Sequence, residues 1–431
     1  MKEYPTMEYL SSQNIKNVQE ELLQETINYT YKYSPYYERL FNSYNILPSK
    51  IKRLEDLVQI PPTTKYDLQK NNEDFLCVDK EKVVEIVCSS GTTGEPIFIA
   101  LTKNDIYRLA RNEELSFLCT NTTSEDLFQL MVTSDNMFIA GMAYYLGITK
   151  IGAGVIRMGP GNTKRQIRIL EALKPTGIVS VPSYLIKMHE EIINLSIDIS
   201  KLSLNKAVLI GESILNESLK LNPLGQKIRN LWNIELFSTY GTTEIATSFC
   251  ECIVHQGLHS HPELLYFEIL DENNNVLNDG EMGELTVTTF QTEGMPLIRY
   301  KTGDITFKIS SPCKCGRTTE KIGPILSRKH HLIKFKGTTV YQTQIEMALL
   351  KFDEIKNYVI EVSTKDNLSD WIVVKVGVSN FSPLLEERIK DEIKAYARVT
   401  PEIQMFTPSE VEKFLFTEGS RKPKKFVDLR K

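Results

Sequence analysis

The stretch from Val83 to Pro96, VVEIVCSSGTTGEP, sets an apolar run against eight residues that suit neither a core strand nor a stable helix. Ser89 to Pro96 carries two glycines and four hydroxyl side chains, so its backbone N–H groups can converge on an anion while Ser and Thr add donors. The Lys of G-x-x-x-x-G-K-[ST] is absent, which sets the standard phosphate loop aside. Alone, the stretch reads either as a plain turn or as a phosphate cradle.

Working outward, apolar strands alternate with helical patterns from Val83 to Ser196. Lys103 to Phe117 and Asn162 to Lys174 read as helices, and LFQLMVT (127–133), ITKIGAGVIRM (148–158) and GIVSVP (177–182) as strands. LNKAVLIGE (204–212) and IELFSTYG (234–241) repeat the theme of a strand running into small residues. These are α/β layers with ligand loops at strand ends. LYFEILDENNNVLNDGEMGELTVTTF (265–290) reads as antiparallel strands joined by an Asn-rich turn, and the tail alternates strand and helix on a smaller scale. The polar run Arg328-Lys329-His330-His331 places a boundary after Ser327, dividing residues 1–327 from 328–431.

The totals bound the partners. At 431 residues the chain has room for two or three domains and a large core. Lys plus Arg number 51 against 55 for Asp plus Glu, a balance of −4 that argues against a general nucleic-acid binder. The opening MKEYPTMEYLSSQ has no basic segment followed by an apolar run, and no stretch approaches about 18 uncharged apolar residues. A cytoplasmic protein with no membrane partner is the expectation.

Seven cysteines, an odd number, speak against a disulfide framework. Four of them form Cys250-Glu251-Cys252 and Cys313-Lys314-Cys315-Gly316, with His255, His259 and His261 beside the first pair. Soft thiolates and imidazoles favour Zn²⁺. Ordinary small hydrophobic cysteines are the other reading.

Three further segments give the glycine-rich stretch company: Tyr240-Gly241-Thr242-Thr243-Glu244, Leu297 to Asp304 (LIRYKTGD), and Lys422 to Arg430 (KPKKFVDLR). In this order the four resemble the adenylate-forming (AMP-binding) superfamily, and most closely the phenylacetate–coenzyme A ligase family. The similarity runs nearly end to end, through YTYKYSPYYERLF, LEDLVQIPPTTKYDL and MGPGNTKRQIRILEALKPTGIVSVPSYL. It implies a large α/β N-terminal domain of several subdomains, a small mobile α+β C-terminal domain and a tendency to dimerise. It also implies a two-step reaction: a carboxylate attacks the α-phosphorus of ATP to give acyl-adenylate and pyrophosphate, and coenzyme A then displaces AMP.

The same resemblance assigns roles. Ser89, Ser90, Gly91, Thr92, Thr93 and Gly94 would hold the β- and γ-phosphates, Thr243 would face the α-phosphate, and Glu244 would help carry Mg²⁺. Asp304 would accept the ribose hydroxyls, as a carboxylate can. Gly211, Glu212, Tyr240, Gly241, Thr242 and Arg328 fall on the nucleotide side, and Arg299 would contact phosphate or brace the hinge. Lys422 is the adenylation catalyst, a cation over the α-phosphate and attacking carboxylate; Lys424 is the second candidate. Relatives with a zinc site carry a Cys before G-L-H and, later, C-x-C-G-R, which implies Cys252, His259, Cys313 and Cys315 as four ligands of a structural zinc.

Two departures from the family pattern bear on function. The junction, where relatives resemble Gly-Arg-x-Asp-Asp, keeps no carboxylate in Ser327 to His331, although Lys336-Gly337 still matches the segment that lines the coenzyme A tunnel. Passage of the acyl group to a carrier protein or another nucleophile is therefore the alternative to coenzyme A. In the region resembling F-x-x-G-x-G-F-H-Y-G, Tyr144 stands for Phe and Tyr145 for His, with Tyr240 bordering. The two tyrosines either meet a small-molecule acid, an aryl or arylalkyl carboxylate, or pack in the core.

Overall fold

The computed structural model describes residues 1–4, 7–89, 96–329, 332–335, 338–365, 369–416 and 423–430. Two compact units divide the chain, one of Met1–Lys220 with Gly225–Ile325, the other of Leu221–Leu224 with Leu326–Lys431.

The larger unit is built on a nine-stranded sheet. Its parallel part runs in the spatial order Gly154–Arg157, Leu127–Leu130, Gly177–Ser180, Lys206–Leu209, Glu235–Thr242. Ile178, Val179, Ala207, Val208 and Leu209 are buried, as strands covered on both faces require. Gly177 has a packing reason: a Cβ there would lie 2.3 Å from the Phe128 ring. Beyond Glu235–Thr242 the sheet turns antiparallel through Thr247–Glu251, Leu258–His259, Lys321–Ile322 and Lys308–Ile309. Helix Thr163–Leu173 starts where Asn162 accepts a hydrogen bond from the Arg165 N–H, and buries Ile167 and Leu170. Leu265–Leu270, Gly283–Thr289 and Tyr300–Thr306 pair antiparallel as a separate layer.

Two expectations need correcting. ITKIGAGVIRM is not one strand. Helix Ile139–Ile151 runs through its first half and stops at Gly152, whose φ of 92° is the left-handed cap glycine permits. Strand begins only at Gly154. Nor does VVEIV enter the α/β layers. Val83–Cys88 pairs antiparallel with Phe98–Thr102 in a two-stranded hairpin, leaving Val84 and Ile86 exposed. Residues 90–95, between these two strands, lie outside the described residues.

In the smaller unit Ile355–Lys365 and Ser369–Val378 form an antiparallel hairpin, flanked in parallel by Phe426–Asp428 and Glu402–Phe406 respectively. Helix Pro383–Ala397 presents Leu385, Ile389, Ile393 and Ala397 at four-residue spacing, and all four are buried in the unit's core. The tail from Pro423 to Arg430 is thus tied down: Val427 pairs with Glu361, and the Arg430 guanidinium meets Asp370 at 2.8 Å.

Candidate active site

A pocket of about 70 Å³ opens beside the end of strand Glu235–Thr242. Its apolar wall comes from Leu109, Phe138, Ile139, Ala143, Ile210 and Ala246, and its polar wall from Glu113, Tyr144, Thr242, Thr243 and Ser248. Gly241 belongs to the lining as well; a Cβ there would approach the Thr247 carbonyl to 2.9 Å. Tyr144 is buried, its hydroxyl 3.3 Å from Thr239 Oγ1, and burial pushes the phenol well up. Tyr145, one position further round the helix, is absent from the lining and lies under the Arg157 guanidinium.

The Thr302-Gly303-Asp304 segment is a bulge within a strand. Glu284 pairs with Ile305 and Thr286 with Lys301, so the facing chain carries extra residues, and Gly303 takes φ 79°. This re-aims Asp304, whose Oδ2 accepts a 2.8 Å hydrogen bond from the Tyr240 hydroxyl. Strand Glu235–Thr242 therefore supplies both the pocket rim and the partner of Asp304. Glu244 follows, largely buried, with Lys65 Nζ 4.0 Å from its carboxylate.

The other expected nucleotide residues fare differently. Arg299, expected to contact phosphate or brace the hinge, is tied into the larger unit. Its guanidinium is buried and spent on the fold: Nε and Nη2 donate to the two Glu268 oxygens at 3.0 Å each, and Nη1 donates to the Ile60 carbonyl at 2.8 Å. It has no surface to offer a phosphate. Glu212 accepts from the N–H and hydroxyl of Ser183, at the start of helix Pro182–Asn194, and Gly211 takes φ 85° with open space where a Cβ would stand. Ser89 is buried in the hairpin, its Oγ accepting from the Ile97 N–H. Arg328 is exposed in the smaller unit. Ser90, Gly91, Thr92, Thr93, Gly94, His330, His331, Lys336, Gly337 and Lys422 lie outside the described residues. Lys424 is exposed, and its N–H donates to the Leu415 carbonyl.

Four soft donors converge at the antiparallel end of the sheet. The ligand atoms of Cys252, His259, Cys313 and Cys315 all lie within 4.8 Å of one another, and all but Cys315 are buried. His259 Nδ1 bonds Thr319 at 2.8 Å, which turns Nε2 toward the Cys315 sulfur 3.6 Å away. Burial raises the Cys315 thiol, but hydrogen bonds from His259 and Arg317 bring it down to about 5, the thiolate a metal needs. Gly316, at φ 94°, closes the Cys313 loop through its N–H to the Cys313 carbonyl. Cys250 is buried nearby but outside the group.

Two residues, one behind the pocket and one lining it, had no place among the sequence-derived sites. Arg108 is fully buried and donates to the carbonyls of Phe290, Ala246 and Leu264 and to Thr247 Oγ1, bracing the backbone behind the pocket. Glu113 faces the pocket itself. The available signal was a carboxylate at four-residue spacing between Leu109 and Phe117, on the buried stripe of helix Lys103–Cys119.

Comparison with known proteins places this geometry. A family model described as AMP-binding enzyme matches residues 36–292, and one described as AMP-binding enzyme C-terminal domain matches 337–430. The phenylacetate–coenzyme A ligase of Thermus thermophilus is 30% identical across 99% of both chains, and that of Escherichia coli 30% identical across 87% of this chain and 85% of its own. The solved 2-hydroxyisobutyryl–CoA ligase in complex with 2-HIB-AMP superposes with a TM-score of 0.86 at 19% identity, covering 98% of this chain and 91% of that one, a likeness of fold. The chain belongs to the AMP-binding enzymes and, within them, to the phenylacetate–coenzyme A ligase family. It is an AMP-forming acid–coenzyme A ligase, activating a carboxylic acid with ATP and passing the acyl group to coenzyme A. Among the described residues no helix is long and apolar enough to cross a membrane.

Proposed function

We propose that the pocket beside Gly241–Thr243 receives an aromatic carboxylic acid, and that the nucleotide lies along the Tyr240–Asp304 side of the same strand. One observation carries this reading: strand Glu235–Thr242 joins an apolar, Tyr144-walled pocket to a buried Asp304 through a single hydrogen bond. Asp304 would accept the ribose hydroxyls. Thr243 and Glu244 stand where the α-phosphate and its Mg²⁺ would meet the acid, a hard cation suiting the Glu244 carboxylate. Lys422 would supply the positive charge that stabilises the transition state. The pocket volume, about 70 Å³, is below the roughly 150 Å³ that holds a benzene ring. As it stands the pocket is too small to enclose a ring, so an aromatic acid requires its lining side chains to move apart on binding.

The four-donor cluster is read as a closed structural zinc site, since four protein ligands leave no position for substrate. Its role would be to pin the turn after Thr247–Glu251 against the Cys313 loop. The test of the whole reading is ATP–pyrophosphate exchange with a panel of single-ring and aliphatic acids, followed by coenzyme A. Exchange and thioester formation with single-ring acids are expected. Exchange with aliphatic acids alone would remove the aromatic assignment, and transfer only to a carrier protein would replace the acceptor.

A further inference from the structure

We infer that Glu113 and Thr242 form a polar subsite in the wall of the acid pocket, selecting an aromatic acid whose ring carries a hydrogen-bond donor, a hydroxyl or an amino group. The inference rests on that pocket being the acid site. Two residues that line it carry buried polar atoms without partners among the described residues, Glu113 Oε2 and Thr242 Oγ1. The first is the more telling. Glu113 Oε1 accepts from Asn112 Nδ2 at 2.8 Å and from Ser248 Oγ at 2.9 Å, so one oxygen is fully served while the other is bare. Buried polar atoms are nearly always satisfied, and a carboxyl oxygen left unmatched is costly. Packing alone would be met by a leucine on this stripe.

The carboxyl is also held in place. Gly147 sits against the base of the Glu113 side chain, where a Cβ would lie 2.3 Å from Glu113 Cβ, so helices Lys103–Cys119 and Ile139–Ile151 touch at this point. Burial raises the Glu113 carboxyl to about 7 against the hydrogen bonds from Ser248 and Asn112, and a donor meeting Oε2 would favour the ionised form. A ring O–H or N–H donating to Oε2 satisfies the orphan, and a hydroxyl oxygen can in turn accept from Thr242. An unsubstituted ring leaves both atoms bare, which is how a polar site rejects an analogue lacking the group.

The experiment compares acid pairs that differ by one ring hydroxyl or amino group, read as kcat/KM in pyrophosphate exchange. Wild type should favour the donor-bearing member by about tenfold or more. Glu113→Leu should erase or reverse the preference. Glu113→Gln, which keeps the size and presents an N–H in place of the bare acceptor, should move it toward ring groups that only accept, such as methoxy. Equal turnover within pairs by wild type, or a preference retained by both variants, overturns the subsite. Thermal shift with the same acids separates this from the acid-site assignment of the pocket. Selective stabilisation of wild type by donor-bearing acids without any exchange would sink the acid-site assignment and support the subsite; equal shifts would sink the subsite.

Discussion

Replacing Arg299 by Met separates an arginine that holds the fold from one that holds a nucleotide. The guanidinium and the Glu268 carboxylate are 2% and 3% exposed, and their two 3.0 Å contacts are supplemented by the 2.8 Å bond to the Ile60 carbonyl. Methionine fills much of the volume but leaves Glu268 buried without its counter-charge. Breaking a buried pair from one side costs about 3–5 kcal/mol, a large share of the 5–15 kcal/mol typical of a folded domain. Burial already raises the Glu268 carboxyl, with Arg299 opposing it. Without Arg299 the folded state binds that proton more tightly than the unfolded chain does, so stability falls as pH rises through the raised value. The deficit should be larger near pH 8 than near pH 5. Urea unfolding followed by circular dichroism reads the loss, and pyrophosphate exchange by the folded variant reads the KM for ATP. A lowered urea midpoint with KM within about twofold of wild type is expected, and Glu268→Leu in the same chain should recover part of the stability. Asp304→Asn should do the reverse, raising KM with the midpoint held. A tenfold rise in KM for Arg299→Met at an unchanged midpoint would refute the assignment of Arg299 to the fold.

Three other outcomes follow from the site. Extensively dialysed protein should hold about one zinc per chain in tetrahedral coordination, and Cys313→Ser should lose the metal together with thermal stability; wild type without metal ends that reading. Lys422→Ala should lower adenylation about a hundredfold or more while Lys424→Ala stays near wild type, and thioester formation from supplied acyl-adenylate should suffer less. The opposite pattern moves the catalytic role to Lys424. Burial pushes the Glu8 carboxyl up, but His261 at 2.8 Å and Arg317 at 2.8 Å more than offset it and hold it down to about 2. Its stabilisation is present above the ordinary value of 4.5 and is lost as pH falls toward 2, so Glu8→Gln should flatten the urea midpoint across that range.

What could be read along the chain is what local chemistry writes there. Helix Thr163–Leu173 and strands Gly177–Ser180 and Lys206–Leu209 stand where periodicity put them, because that signal spans only a few neighbours. The family could be recognised the same way, since YGTTE and LIRYKTGD are contiguous. The end of helix Ile139–Ile151 reads as strand because its β-branched residues and glycines suit one locally, and only packing against helix Lys103–Cys119 decides for helix. The site was legible as residue types and not as partners. Tyr240 meets Asp304 across 64 positions, Cys252 meets Cys313 across 61, Ser248 meets Glu113 across 135, and Arg299 reaches Ile60 across 239. Sequence alone suggested a phosphate or hinge role for Arg299 and did not single out Glu113. Whether a buried charge is paired, as Arg299 is, or left with a bare oxygen, as Glu113 is, depends on desolvation and on neighbours brought from far along the chain, and only the tertiary structure supplies those.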